Sequence, residues 1–210
     1  MPAHVHAAEP GGAATALALA HGAGAGQDHP WMQKVARGLA TRGITVVTFD
    51  FDYMEAGRKA PDRAPVLEAA FARVWADVLP GLPSGARLFA GGKSMGGRIS
   101  SQVAAKGAFD PAPAGLVFFG YPLHPPGRPD QRRDAHLGKV AVPMLFLHGT
   151  RDAFGTPDEM RELASRLPGA TLEIIEGGDH SLVATKRADP EGLSLERAMD
   201  LAARWMRDQA

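Results

Sequence analysis

Short apolar runs alternate along this chain with stretches in which apolar residues recur every three or four positions. The runs are residues 13–20 (AATALALA), 44–51 (ITVVTFDF), 87–90 (RLFA), 115–121 (GLVFFGY), 143–148 (PMLFLH) and 171–175 (TLEII). Most are continuous rather than alternating, the pattern of strands covered on both faces. Between them, Trp31, Met32, Val35 and Leu39 make one helical stripe. Leu67, Ala70, Phe71, Val74, Trp75 and Val78 make a second. Thr156-Pro157-Asp158-Glu159 has the N-cap, first-turn proline and capping-box glutamate of a helix start. Met160, Leu163 and Leu167 supply that helix's apolar face, and Leu195, Met199, Ala202 and Trp205 that of a last helix. Strand–helix alternation of this kind predicts a single α/β domain over 12–210. Its sheet should be mostly parallel, with six or seven strands and helices on both faces. Residues 1–11 read as a mobile lead-in or a frayed edge strand. The proline-rich segment 122–143 reads as a surface loop.

Composition narrows the function classes. The 210 residues are 45% apolar and 22% charged, with 23 Lys+Arg balanced by 23 Asp+Glu. A net charge of zero gives no electrostatic footprint for nucleic acid or an anionic membrane. No run approaches the roughly 20 apolar residues of a spanning helix. The first residues carry no basic segment before their apolar run, so the expectation is a cytoplasmic chain. With no cysteine, disulfides, thiolate zinc sites and a thiol nucleophile are excluded together. His4 and His6 lie in the lead-in. His29, His124 and His136 are scattered without ligand spacing, so no metal or cofactor is expected.

Gly92-Lys93-Ser94-Met95-Gly96 fits G-x-S-x-G, and its setting gives it meaning. It follows an apolar strand run and precedes a helical pattern over 95–106. A nucleophile raised above a sheet on a strained turn needs this strand–turn–helix setting. Gly91, Gly92, Gly96 and Gly97 would let neighbouring backbone pass close to Ser94. Gly92-Lys93-Ser94 also ends a phosphate-binding loop pattern. That pattern requires glycine at position 87, which is Arg87, and a flexible loop where this chain has a strand.

A serine hydroxyl needs a base, and the base needs an orienting acid. His148-Gly149-Thr150-Arg151-Asp152 follows one strand run, and Glu176-Gly177-Gly178-Asp179-His180-Ser181 follows the next. Asp152 and His180 therefore fall beyond the carboxyl ends of neighbouring strands, at the same sheet edge as Ser94. Asp179 competes with Asp152, but it directly precedes His180 and aims poorly at its neighbour's ring. Charge developing on an attacked carbonyl oxygen needs fixed N–H donors. The first candidate is Met95, after the nucleophile. The second comes from the glycine-rich turn His21-Gly22-Ala23-Gly24-Ala25-Gly26, with Ala23 favoured and Gly24 the alternative.

With these pieces in place the chain resembles the α/β-hydrolase superfamily. Gly178-Asp179-His180-Ser181 and His21-Gly22-Ala23-Gly24 carry the resemblance together with the serine turn and the Asp152 segment. More narrowly it looks like the small dienelactone-hydrolase-like proteins. Within these, the stretches from Tyr53 to Arg58 and from Gly120 to Pro126 look like a branch with a histone acetyltransferase complex subunit and a testis-expressed relative. The resemblance implies an α/β-hydrolase fold. About twenty residues between the fourth and fifth runs leave no room for a cap domain, so an open site is expected. Dienelactone hydrolase uses a cysteine nucleophile, so its reaction does not carry over to a chain without one.

The expectation is a serine hydrolase cleaving an ester, thioester or amide of a small-molecule substrate, with Ser94 as nucleophile, His180 as base and Asp152 as acid. Glu55 and Arg58, after the second run, and His124, after the fourth, are expected to touch substrate. The alternative for the charged loop is a solvated face, and for the whole chain a binding or scaffold protein on a hydrolase fold. The oligomeric state is not written in the sequence.

Overall fold

The computed structural model describes residues 3–8, 15–82 and 85–209. Seven strands form one sheet in the order β1-β3-β2-β4-β5-β6-β7. They are β1 (His4–His6), β2 (Thr15–Ala20), β3 (Thr45–Phe49), β4 (Arg87–Lys93), β5 (Leu116–Phe119), β6 (Met144–Gly149) and β7 (Ala170–Ile175). All pairings are parallel except that of β1 with β3. All six apolar runs are strands. The first is described from Thr15 onward, and its Ala13 and Ala14 lie outside the described residues. Within the expected lead-in, His4 pairs with Thr48, Val5 with Val47 and His6 with Val46. That segment is therefore an edge strand of the sheet. Residues 1, 2 and 9–11 lie outside the described residues.

Strand geometry sends alternate side chains to opposite faces, and each face has its own helices. Leu17, Leu19, Val117, Phe119, Leu145 and Leu147 face a core completed by α1 (Pro30–Ala40) and α6 (Ser194–Asp208). Ala16, Ala18, Leu116, Phe118, Met144 and Phe146 face the other core. There α3 (Ala64–Val78), α4 (Met95–Ala105) and α5 (Pro157–Ser165) pack. Each fully buried Leu, Val, Phe or Met side chain among these stabilises the fold by about 1.5–3 kcal/mol. The predicted capping box opens α5, with Thr156 and Glu159 bonding each other's backbone reciprocally. One helical turn, α2 (Asp52–Glu55), follows β3. Residues 122–143 form the expected loop, with only a 3₁₀ turn at Leu137–Lys139.

The chain passes from β2 to β3 on one side, then to β4 on the other side of β2. A crevice opens where such connections part, outside the carboxyl ends of the strands. Here those ends are followed by His21–Ala23 and Ser94. Among the described residues no cap domain covers them. Among the described residues no helix is long and apolar enough to cross a membrane.

Candidate active site

Ser94 sits between β4 and α4 with φ 52° and ψ −113°. A residue with a Cβ held there stores about 1–3 kcal/mol of strain. The turn is locked by close backbone packing. A Cβ on Gly96 would be driven into the carbonyl of Ala20, and one on Gly92 would approach that same oxygen to 2.5 Å. The Ser94 N–H donates to the Phe119 carbonyl at 3.2 Å, fixing the turn to the neighbouring strand as well.

The structure brings Ser94, His180 and Asp152 together. His180 Nδ1 lies 2.8 Å from Asp152 Oδ2, and His180 Nε2 lies 2.8 Å from Ser94 Oγ. An ionised carboxylate only accepts, which assigns the hydrogen to Nδ1 and leaves Nε2 to accept from the serine hydroxyl. The second Asp152 oxygen accepts the Phe154 N–H at 2.8 Å. Burial alone would raise the Asp152 pKa. The hydrogen bond and charge of His180, with the Phe154 N–H, outweigh it and hold the carboxyl below its ordinary value. The Phe154 ring stacks on His180 at 4.1 Å. The loops after β6 and β7 are joined by an Arg151 N–H donating to the Gly178 carbonyl at 2.8 Å. Asp179 shapes its own turn, its Oδ1 accepting from the N–H groups of Ser181 and Val183 at 2.7 and 3.2 Å.

Three neighbours had no assigned part in the sequence reading. The Lys93 ammonium donates to the His180 carbonyl and lies 5.6 Å from the centre of the Trp31 ring. Burial pushes its pKa down to about 8, against the attraction of Asp152 and Asp179. His21 is buried, with Nε2 accepting the Phe51 N–H at 3.1 Å and Nδ1 lying 2.7 Å from the Gly22 carbonyl. The ring is thus a donor at Nδ1, and burial lowers its pKa. Gripping the Gly22 carbonyl turns the N–H of the same peptide, that of Ala23, the opposite way. His148 is likewise buried and donates from Nε2 to the Gly155 carbonyl at 2.9 Å, bracing the Asp152 loop. Both histidines stand at a strand end before glycine, the one signal the sequence offered.

The cleft at Ser94 has a volume of about 520 Å³, and Ala23, Ser94, Met95, Phe154 and His180 line it. Met95 is the first residue of α4, where an N–H has no partner within the helix. Ala23 and Met95 thus bring backbone to the same cleft as the serine. Glu55, Arg58 and His124 are not among its lining residues. Glu55 is exposed at the end of α2. Arg58 is held by a fork of bonds to Asp62 at 2.7 and 2.9 Å, and it is Asp62 that reaches the cleft. His124 is buried against the Pro125 carbonyl and Glu159. The charged side chains that line the cleft are instead Lys93, Arg98, Arg133 and Asp62. Among the described residues no cluster of three His, Asp or Glu side chains is placed to hold a metal ion.

A family model described as an alpha/beta hydrolase domain matches residues 13–209. Several solved structures share the architecture. A lidless serine hydrolase from Xanthomonas campestris is 21% identical, with a TM-score of 0.70 over 97% of this chain and 88% of that one. Est1E from Butyrivibrio proteoclasticus, with ferulic acid bound, is 15% identical, with a TM-score of 0.73 over 99% and 94%. Dienelactone hydrolase from Anabaena variabilis is 19% identical, with a TM-score of 0.70 over 96% and 88%. At these identities the likeness is one of fold.

Proposed function

The chain belongs to the alpha/beta hydrolase family, and on that premise we propose that it is a serine hydrolase of small carboxylic esters, thioesters or amides. Ser94 Oγ attacks the substrate carbonyl carbon while His180 Nε2 takes the hydroxyl proton. Asp152 holds the ring in the tautomer that can do so and stabilises the imidazolium that forms. The oxygen of the tetrahedral intermediate is met by the N–H groups of Met95 and Ala23. Each such donor contributes about 2.7–4 kcal/mol to lowering the barrier in a comparable site. His180 returns the proton to the leaving group, giving an acyl-serine. Water, deprotonated by the same ring, then releases the acid and restores Ser94. The observation that carries this reading is the continuous hydrogen-bonded line Asp152–His180–Ser94.

Support also comes from the buried His21, which orients the Ala23 peptide, and from a cleft beside Ser94 within the size range of small-molecule sites. The test is labelling by a fluorophosphonate probe. The folded protein should be labelled at Ser94, and the Ser94→Ala and His180→Ala proteins should not. A folded, unlabelled wild-type protein would refute the proposal.

A further inference from the structure

Two arginines in the cleft wall have no use in the chemistry just described. Arg98 is on the first turn of α4, and its N–H donates to the Ser94 carbonyl at 3.1 Å. Four residues of helix place it about 6 Å along the axis from the nucleophile. Arg98 lines the cleft, yet its Nε is buried without a hydrogen-bond partner. Its Nη1 has only a 3.3 Å bond to Gln102, a neutral amide. Burial pushes the Arg98 pKa down and the positive charge of Arg133 pushes the same way, against the opposing influence of Tyr121 and Glu68. Arg133 lines the cleft from the loop after β5.

The backbone of Arg133 is tied at both ends. Its N–H donates to the Leu123 carbonyl at 2.8 Å, and its carbonyl accepts the hydroxyl of buried Tyr121 at 2.8 Å. Among the described residues neither guanidinium has a carboxylate within ion-pair distance. Among the described residues the carboxylate that lines the cleft, Asp62, is occupied by Arg58. Two cationic residues in one cleft, one of them with a buried and unpartnered Nε and neither within ion-pair distance of a carboxylate, favour a ligand that brings negative charge.

We propose that Arg98 and Arg133 bind a carboxylate carried by the substrate itself, so that the preferred substrate is a short half-ester of a dicarboxylic acid. This rests on the hydrolase reading above for its chemistry, though not for its binding. The planar fork of a guanidinium matches the two oxygens of a carboxylate. The place of Arg98 one helical turn after Ser94 suits a free carboxylate a few carbons from the scissile carbonyl.

The experiment compares kcat/KM for monomethyl glutarate with that for dimethyl glutarate, which differ in the charge at one end. The wild-type protein should prefer the half-ester by at least tenfold. That ratio should fall at least tenfold in Arg98→Gln and in Arg133→Gln, and hold in Arg161→Gln, whose arginine lies on the outer surface of α5. If Arg98→Gln does not fold, Arg133→Gln, on a loop, decides. A wild-type ratio at or below one, or an unchanged ratio in the folded variants, overturns the proposal. Fluorophosphonate labelling of Ser94 then shows that the hydrolase reading survives it. If labelling fails, calorimetry with glutarate takes over: binding lost in Arg133→Gln upholds the carboxylate site, and absent binding overturns it. Inorganic phosphate binding more tightly than glutarate also overturns the carboxylate assignment.

Discussion

The two walls of the cleft are built on opposite plans. On the wall of Asp152, His180 and Lys93, polar groups find protein partners. Both oxygens of Asp152 accept, both nitrogens of His180 are engaged, and Lys93 holds the His180 carbonyl. On the wall of Arg98 and Arg133, a buried Nε has no hydrogen-bond partner, and among the described residues neither guanidinium has a carboxylate within ion-pair distance. The first wall is complete before anything binds, as preorganised chemistry requires. The second is complete only with a ligand in place. The lesson is that saturation marks machinery and vacancy marks recognition.

Breaking the first wall should have the largest effect. Asp152→Asn supplies a donor where His180 needs an acceptor, which favours the wrong tautomer. We expect kcat to fall by about 10⁴-fold, as the loss of such an acid does elsewhere. Steady-state kinetics on the glutarate pair should show both esters falling together, leaving their ratio intact. If the ratio moved instead, the two walls would not be separable. A smaller effect is expected from Gly96→Ala, which pushes a methyl group at the Ala20 carbonyl. Urea unfolding should show a loss of about 1–3 kcal/mol, and labelling of Ser94 should slow as the turn shifts.

The smallest effect concerns Lys93 and pH. Its folded pKa is pushed down to about 8 from an ordinary 10.5. Below pH 8 both states carry the proton, and burial of the charge opposes folding. Between these values the unfolded chain binds more protons, so raising the pH stabilises the fold. Thermal melts of the wild-type and Lys93→Met proteins across that window should show a rise in relative wild-type Tm with pH. A flat difference would mean that Lys93 is not held in a desolvated place.

The sequence was most legible where local chemistry determined the answer. Buried strands announce themselves as unbroken apolar runs, and all six did so. Ser94, Asp152 and His180 could be read because each follows such a run, in an order that one sheet edge brings together. Strand β1 was harder to read, since three residues with two histidines carry no hydrophobic pattern. Glu55, Arg58 and His124 do not line the cleft, because loop charges take partners that only tertiary packing decides, here Asp62 for Arg58 and Glu159 for His124. Arg98 and Arg133 escaped notice for the same reason. They stand 35 residues apart in the numbering and share a cleft only because the fold brings the loop after β5 to the side of α4. Trp31 read as part of a helix's buried stripe, but its indole N–H reaches the Ser181 carbonyl at 2.9 Å and its ring lines the cleft.

Strand β7 is the outermost strand of the sheet on its side, pairs only with β6 and keeps most of its residues half-buried. The His180 imidazole is carried by the loop that leaves it, whereas Ser94 rises from the sheet's interior. Fraying at that margin would unhitch the base while the rest of the sheet stayed zipped. Amide exchange along β7 therefore sets an upper bound on the fraction of molecules competent for turnover at any instant.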